Sequence, residues 1–346
     1  MGITNRQLLF MHYILIIPFT CCTISKLLAD TFATGSWLFI IGATAIYCFA
    51  AGIIAYLGYL FKNQTLFEYS QLIAGKFASY CISILYMINF FVFFSLLLRS
   101  VSEIIKSELL VNTPIWATML VMIIAAGYAA SKGLSNIGRI IEIIGLITLL
   151  SALIIHFLMF CSGDILNTRP FLNFSEPSKY ITSFPLTLYL FSGFEIMTII
   201  PFKNHNGKKA IGAAMLSILL IGLSYIMIFE TCCMVLGIES ISNYSYPLIP
   251  AMRKLDITAL QFLKRIDLLF IIAWLLAVFA SSAILLFGTA EYARKILSKP
   301  GNNKILIAVC LIGFIFGLVP KSDISANQIV LYYCYYASGI IIFIIP

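Results

Sequence analysis

Glu195 lies in the stretch LFSGFEIMTIIPF (residues 190–202), two positions after Gly193 and surrounded by apolar side chains. A carboxyl group there accepts hydrogen bonds or pairs with a cation. The preceding Ser192-Gly193 weakens a helix, which frees backbone carbonyls as further acceptors. A second stretch, FMHYILIIPFTCCTISKLL (10–28), carries Pro18 near its middle. Proline suits the first position of a helical segment, so amides near Phe19, Thr20 and Cys21 are expected to be free to receive an anion, assisted by the helix dipole. Acceptors in one segment and donors in another are chemistry for a small charged ligand, provided something holds both segments at the same depth.

That something is a membrane bundle. The chain has 346 residues, of which 61% are hydrophobic and 10% charged, with a mean hydropathy of +1.02. Soluble domains run at about 45–50% apolar and about 25% charged, so the solvent for this chain is lipid. The formal charge of +8 does not imply nucleic acid, because the basic residues sit in short gaps between apolar runs, as the positive-inside rule expects. The nine cysteines lie mostly inside apolar runs, including the pairs Cys21-Cys22 and Cys232-Cys233. They show no zinc-site spacing and read as small apolar fillers, so no metal or cofactor is expected. With only Arg6 before the first apolar run and no small-residue cleavage site after it, that run is read as a retained span.

A hydrocarbon core about 30 Å thick needs roughly 20 helical residues. That ruler gives ten spans, at 8–29, 35–61, 80–106, 114–131, 137–161, 183–202, 209–236, 262–289, 303–320 and 325–346, with no soluble domain between them. The expected fold is an all-α integral membrane protein, one domain over residues 1–346. Placing the N-terminus in the cytoplasm puts twelve Lys and Arg in inner segments and eight in outer ones, half of the outer set in one long connection. Two connections have a shape of their own. KNQTLFEYSQLIAGKF carries a Thr65-x-x-Glu68 capping box and a Gly75 stop, which predicts a short amphipathic helix on the inner surface. GIESISNYSYPLIPAMRKLDITALQFLKRID, with Pro247 and Pro250, predicts an outer cap. Surface coverage alone also explains both.

Ten spans divide into five and five, with repeats at about 8–161 and 183–346. Because five is odd, the second set enters the membrane inverted, and the first span of each set is then the discontinuous one. Pro18 and Ser192-Gly193 fall in those two spans. With the N-terminus inside, the first span runs outward and offers amides after Pro18, while the sixth runs inward and offers carbonyls before Gly193 together with Glu195. Donors facing acceptors suit a zwitterion, the form of a free amino acid.

Other residues carry two readings each. Glu195 is a ligand group or a hydrogen-bonded structural acid. Arg99 and Glu103, at i and i+4, form a structural ion pair or a gate. Ser281-Ser282 pack or help to hold a cation. Of Phe90, Phe91, Phe93 and Phe94, most pack between helices; Phe94 is taken as the one closing the pocket. Glu142 and Asp267 are expected to be anchored beside Arg139 and Arg265, Glu230 either faces the bundle or does not, and His12 and His156 read as packed histidines.

A set of local motifs runs along the chain in order. They are Leu66-Phe67-Glu68-Tyr69 with Gly75-Lys76, Leu98-Arg99 with Glu103, Asn112-Thr113-Pro114 with Trp116, Arg139 with Glu142, Arg169-Pro170, Phe191-Ser192-Gly193-Phe194-Glu195 with Pro201-Phe202, Tyr246-Pro247, and Phe262-Leu263-Lys264-Arg265-Ile266-Asp267 followed by Trp274. With them the chain resembles, almost end to end, the B subunit of the spore-germination nutrient receptors, a branch of the amino acid–polyamine–organocation superfamily. The resemblance implies a five-plus-five transporter fold. It also implies a sensor for an amino acid or related nutrient in the spore inner membrane, working with A-type and C-type receptor subunits. Two features depart from the family. Ile17-Pro18-Phe19-Thr20 stands where the first span usually carries glycines, and the usual basic tail does not follow Pro346. The same architecture serves a proton- or sodium-coupled amino acid permease, which is the alternative reading. An intramembrane enzyme finds no support in GxSxG, HExxH or paired membrane aspartates.

Overall fold

The computed structural model describes residues 3–171, 177–201, 208–255 and 266–320, with Ile329 and Tyr333. The first expected span is two helices, α1 (Asn5–Thr20) and α2 (Ile24–Phe32), separated at 21–23. Then come α3 (Ser36–Leu60), α4 (Leu66–Glu108), α5 (Ile115–Ser131) and α6 (Leu134–Ser162). The sixth span is α7 (Pro177–Leu188) followed by two short 3₁₀ segments, Tyr189–Phe191 and Phe194–Ile199. After it come α8 (Lys209–Leu236), the small helices α9 (Ile238–Ile241) and α10 (Leu248–Arg253), α11 (Ile266–Ile296) and α12 (Asn303–Leu318). The second to fifth and seventh to ninth expected spans each fall on one of these helices, and the first and sixth on a broken series of them; the tenth, 325–346, lies outside the described residues apart from Ile329 and Tyr333.

Length and composition agree with a membrane solvent. Among the described residues five helical stretches are long and apolar enough to cross a bilayer, and α5 and α12 are shorter apolar helices. Large apolar side chains face outward on several of them, such as Phe49 (72% exposed), Ile124 (64%) and Ile315 (65%). Such outer faces suit a lipid surround or another apolar surface.

Local signals in the sequence shape the end of the bundle that carries Thr65 and Gly75. Thr65 and Glu68 form the expected capping box, with the Thr65 amide donating to Glu68 Oε2 at 2.7 Å. Gly75, at φ 83°, turns the short surface helix into the spanning part of α4. Lys295 of α11 reaches Glu68 Oε1 at 3.0 Å and binds Thr65 Oγ1, which ties this helix to the bundle. A second capping box, Thr4 with Gln7, starts α1 and was not anticipated from the sequence. At the opposite end, Pro247 precedes α10 and Pro250 stands in its first turn, where a missing N–H leaves no bond unmade; residues 256–265 of the expected outer cap lie outside the described set.

Packing follows the expected repeat. α3 packs on α8, α4 on α11 and α5 on α12, so the second, third and fourth spans meet their counterparts, while α1 runs among α6, α8 and α11. The α3–α8 contact depends on Gly222. A Cβ there would lie 2.1 Å from Thr44 Oγ1, and that hydroxyl is itself fixed on the Ile40 carbonyl at 2.7 Å. Gly222→Ala should therefore lower stability by about 1–3 kcal/mol through overpacking, read as a lower midpoint of thermal unfolding in detergent. Gly212→Ala on the same helix, where nothing lies within 4 Å of the added methyl, should leave the midpoint unchanged; equal effects would mean that close helix approach is not what Gly222 provides.

Candidate functional site

The site is built from two broken spans. In the sixth, Ser192 (φ −59°, ψ 135°) and Gly193 (φ 112°, ψ −17°) adopt a type II turn, whose third residue needs positive φ and so favours glycine. The break falls where the sequence placed it. The half that follows is a six-residue 3₁₀ segment, Phe194–Ile199, instead of an α-helix. Glu195, 2% exposed, folds back over the turn: its Oε2 accepts from the Gly193 amide at 2.8 Å, and its Oε1 accepts from Asn89 Nδ2 of α4 at 2.5 Å. Asn89 Oδ1 in turn accepts from the Tyr333 hydroxyl at 3.1 Å. The carboxyl group thus satisfies an amide that the break exposes.

In the first span the break is three residues further on than expected. Pro18 lies inside α1, which continues to Thr20, and the chain turns at 21–23 before α2 begins. The amide of Cys21 is not free; it donates to the Ile17 carbonyl at 3.0 Å. Proline still frees a carbonyl, since it has no N–H for the residue four before it. That carbonyl, Ile14, accepts from the Ser281 hydroxyl of α11, which also lies 2.8 Å from the Ala277 carbonyl. In the last turn of α1, the Pro18 carbonyl accepts from Trp274 Nε1 at 3.0 Å and the Thr20 carbonyl from the Thr23 amide at 2.9 Å. The carbonyls loosened here are thus satisfied by α11 and by the turn itself, while the Thr23 side chain leaves the start of α2 uncapped.

Tyr225 of α8 joins the two breaks. Its oxygen lies 2.6 Å from Thr20 Oγ1 and 2.7 Å from the Leu190 carbonyl. A phenol has one hydrogen and a carbonyl only accepts, so Tyr225 donates to Leu190 and accepts from Thr20. Aromatic rings wall the junction: Phe191 stacks on Tyr47 and meets Tyr225 edge-on, and Phe194 meets Tyr47 edge-on. Phe19 packs edge-on against Phe93 and Tyr189, with ring centroids at 5.4 and 6.1 Å. Ser192 Oγ is buried beside the turn and has no hydrogen-bond partner among the described residues.

With this geometry in view, likeness to known proteins can be placed. A family profile described as "spore germination protein" matches residues 2–326. The chain belongs to that family. Among relatives of this spore germination protein in Bacillus subtilis (strain 168), spore germination protein YndE is 24% identical over 294 residues, covering 85% of this chain and 80% of YndE. Spore germination protein B2 is 24% identical over 330 residues, covering 92% and 88%. The fold matches that of MhsT, solved in complex with L-phenylalanine, at a TM-score of 0.74 and 12% identity over 99% of this chain and 87% of MhsT. It also matches the nucleobase-cation-symport-1 family transporter Mhp1 at 0.64 and 14%, over 99% and 77%. The germination protein therefore has the five-plus-five architecture of these transporters, with the first and sixth spans discontinuous.

The other expected residues divide. Thr20, Phe19, Ser192, Gly193, Phe194 and Glu195 gather at the two breaks, whereas Phe94 turns away: its ring lies 2.7 Å from where a Gly313 Cβ would be, so it packs against α12 and Phe93 takes the place proposed for it. Arg99 and Glu103 pair on α4, both nearly buried. Ser282 is buried with its hydroxyl unpartnered among the described residues. Glu142 meets Arg6 at 3.1 Å and Gln7 at 3.1 Å, and Asp267 lies 3.8 Å from Arg253; Arg265 is outside the described set. Asn89, Tyr225 and Tyr333 were not assigned to the site from the sequence. Asn89 had a readable signal as a lone amide within a long apolar span; a tyrosine in an apolar helix had none. If Tyr225 is the link between the breaks, Tyr225→Phe leaves Leu190 and Thr20 without a partner and should destabilise by about 1–3 kcal/mol. A double-mutant cycle with Thr20→Val, followed by thermal unfolding, should show coupling between the two; strict additivity would contradict the link.

Proposed function

We propose that this spore germination protein is the nutrient-sensing membrane subunit of a spore germination receptor, and that it binds an amino acid or related small molecule where its two broken spans face each other. The observation that carries this reading is the relay from Thr20 through Tyr225 to Leu190. It holds the breaks together with bonds that a zwitterion can replace. A ligand carboxylate accepts from the Thr20 and Tyr225 hydroxyls; turning the Tyr225 proton to the ligand releases the Leu190 carbonyl, and Glu195 with that carbonyl receives the ammonium. Ser192 and the ring of Phe19 complete the pocket, near Pro18 and Cys21. Binding thus exchanges internal bonds for ligand bonds at the point where two half-helices can shift, as a two-state sensor requires.

Several finer assignments belong to the same proposal. Residues 1–346 act as one membrane domain with repeats near 8–161 and 183–346. The N-terminus is cytoplasmic, the membrane is the inner membrane of the spore, and the partners are A-type and C-type receptor subunits. Arg99–Glu103 serves as a gate on the outer side of the site. Ser282, whose hydroxyl is uncommitted, is a better cation ligand than Ser281, which is occupied with the freed carbonyl of α1.

Glu195→Gln tests the role of charge cleanly. The Gln carbonyl can still accept from the Gly193 amide, and its NH₂ can face Asn89 if the Asn89 amide turns over and presents Oδ1, with Tyr333 then accepting. The fold should survive, while the attraction for an ammonium is lost. A thermal-shift screen of the purified chain against single amino acids should find a stabilising ligand, and Glu195→Gln should weaken its half-saturation by about tenfold or more, equivalent to about 1.4 kcal/mol. An undiminished ligand response in a Gln variant of normal stability would remove Glu195 from the site. Uptake of the ligand by the isolated protein in vesicles would favour the permease; a co-purifying complex without flux favours the receptor.

A further inference from the structure

A cavity of about 620 Å³ opens between α6 and α8, beneath the 165–171 segment and away from the breaks. Its walls are largely apolar, formed by Phe157, Phe160, Phe171 and Met234 among others, and its lining includes two titratable groups, His156 and Glu230, beside the hydroxyls of Thr168 and Thr231. His156 is 2% exposed, and its Nδ1 lies 2.9 Å from Thr231 Oγ1. The Thr231 hydroxyl has one hydrogen, and it is directed at the Met227 carbonyl at 2.7 Å. With that hydrogen on the Met227 carbonyl, Thr231 accepts from His156; this assignment puts the proton of the neutral ring on Nδ1 and leaves Nε2 as an acceptor. Neither His156 Nε2 nor Glu230 Oε1 has a hydrogen-bond partner among the described residues, and both atoms are buried. Two buried acceptors without a donor, on the wall of a large apolar cavity, are destabilising as they stand.

We propose that this cleft is a second ligand site, for a small amphiphilic primary amine whose ammonium donates to Glu230 and His156 while its apolar body lies against the phenylalanines. An ammonium has three donors and no acceptor, so it answers both groups at once; a carboxylate would be repelled, and a hydroxyl could satisfy only one of them. The site is separate from the one between the broken spans but not remote from it. A narrow second cavity shares Leu153, His156 and Met227 with the cleft and extends to Pro18 and Trp274 at the first break. His156 is thus a wall common to both, and an occupant of the cleft bears on the packing behind α1. That position suits a modulator of the first site.

The probe is 2-phenylethylamine, with 2-phenylethanol as its neutral counterpart, titrated against the purified full chain and followed by thermal unfolding. The amine should raise the midpoint saturably, and the alcohol should need a concentration higher by about tenfold or more, as expected when a charge-assisted hydrogen bond is missing. Glu230→Gln should shift half-saturation by the amine by a similar factor. Should that replacement lower the yield, Leu153→Trp, which fills the cleft without removing either acceptor, must abolish the shift instead. No saturable effect of the amine on the unaltered chain overturns the proposal. So does equal binding of amine and alcohol, or unchanged amine binding in either variant.

Discussion

A chain in lipid cannot leave backbone groups to water, and every other feature of this bundle answers to that constraint. Two spans are interrupted, and each interruption frees carbonyls and amides that need partners from within the protein. The partners come from helices distant in sequence. Ser281 and Trp274 on α11 serve the Ile14 and Pro18 carbonyls, Tyr225 on α8 serves Leu190, and Glu195 serves the Gly193 amide of its own turn. The breaks persist because α8 and α11 are positioned to complete them, and α8 and α11 hold their places partly through those bonds.

The same arrangement explains why the breaks are suited to change. A hydrogen bond between neutral groups contributes about 0.5–1.5 kcal/mol net, yet leaving a buried group unpaired costs about 1–3 kcal/mol. Rearrangement is therefore cheap only when each released group meets a new partner in the same step. The Thr20–Tyr225–Leu190 relay has that property, because turning one hydroxyl proton frees a donor on one side and an acceptor on the other. Around it the packing is close. Gly222 lets α3 approach α8, and the ring of Phe191 stacks on Tyr47 and meets Tyr225 edge-on. A rigid surround with one exchangeable link is the physical form of a sensor, and the same fold is found in a transporter, so the fold by itself does not choose between the two.

Much of this was legible in the sequence because bilayer thickness imposes a length on apolar runs and because a few local codes act through near neighbours. Composition gave the solvent, hydropathy gave the spans, and Thr65, Glu68 and Gly75 announced the surface helix through bonds no more than a turn away. Ser192-Gly193 announced its break because a type II turn asks for glycine at a single position. Pro18 misled by three residues. Its local effect, a missing N–H, is real, but α11 supplies a hydroxyl to the freed carbonyl and the helix runs on to Thr20. Phe94 misled in the same way, since adjacent phenylalanines on a helix point about 100° apart and only the placement of α12 decides which one faces the site.

What the sequence determined by itself was therefore the class of molecule, the order of its first nine spans, and the two segments able to break. Those depend on the lipid and on contacts within a turn. Which atoms meet at the breaks was decided by tertiary structure alone: Asn89 is 106 residues from Glu195, and Tyr225 is 205 from Thr20. Hydrogen bonds act over about 3 Å, and no local pattern encodes which distant helix will present a donor at that range.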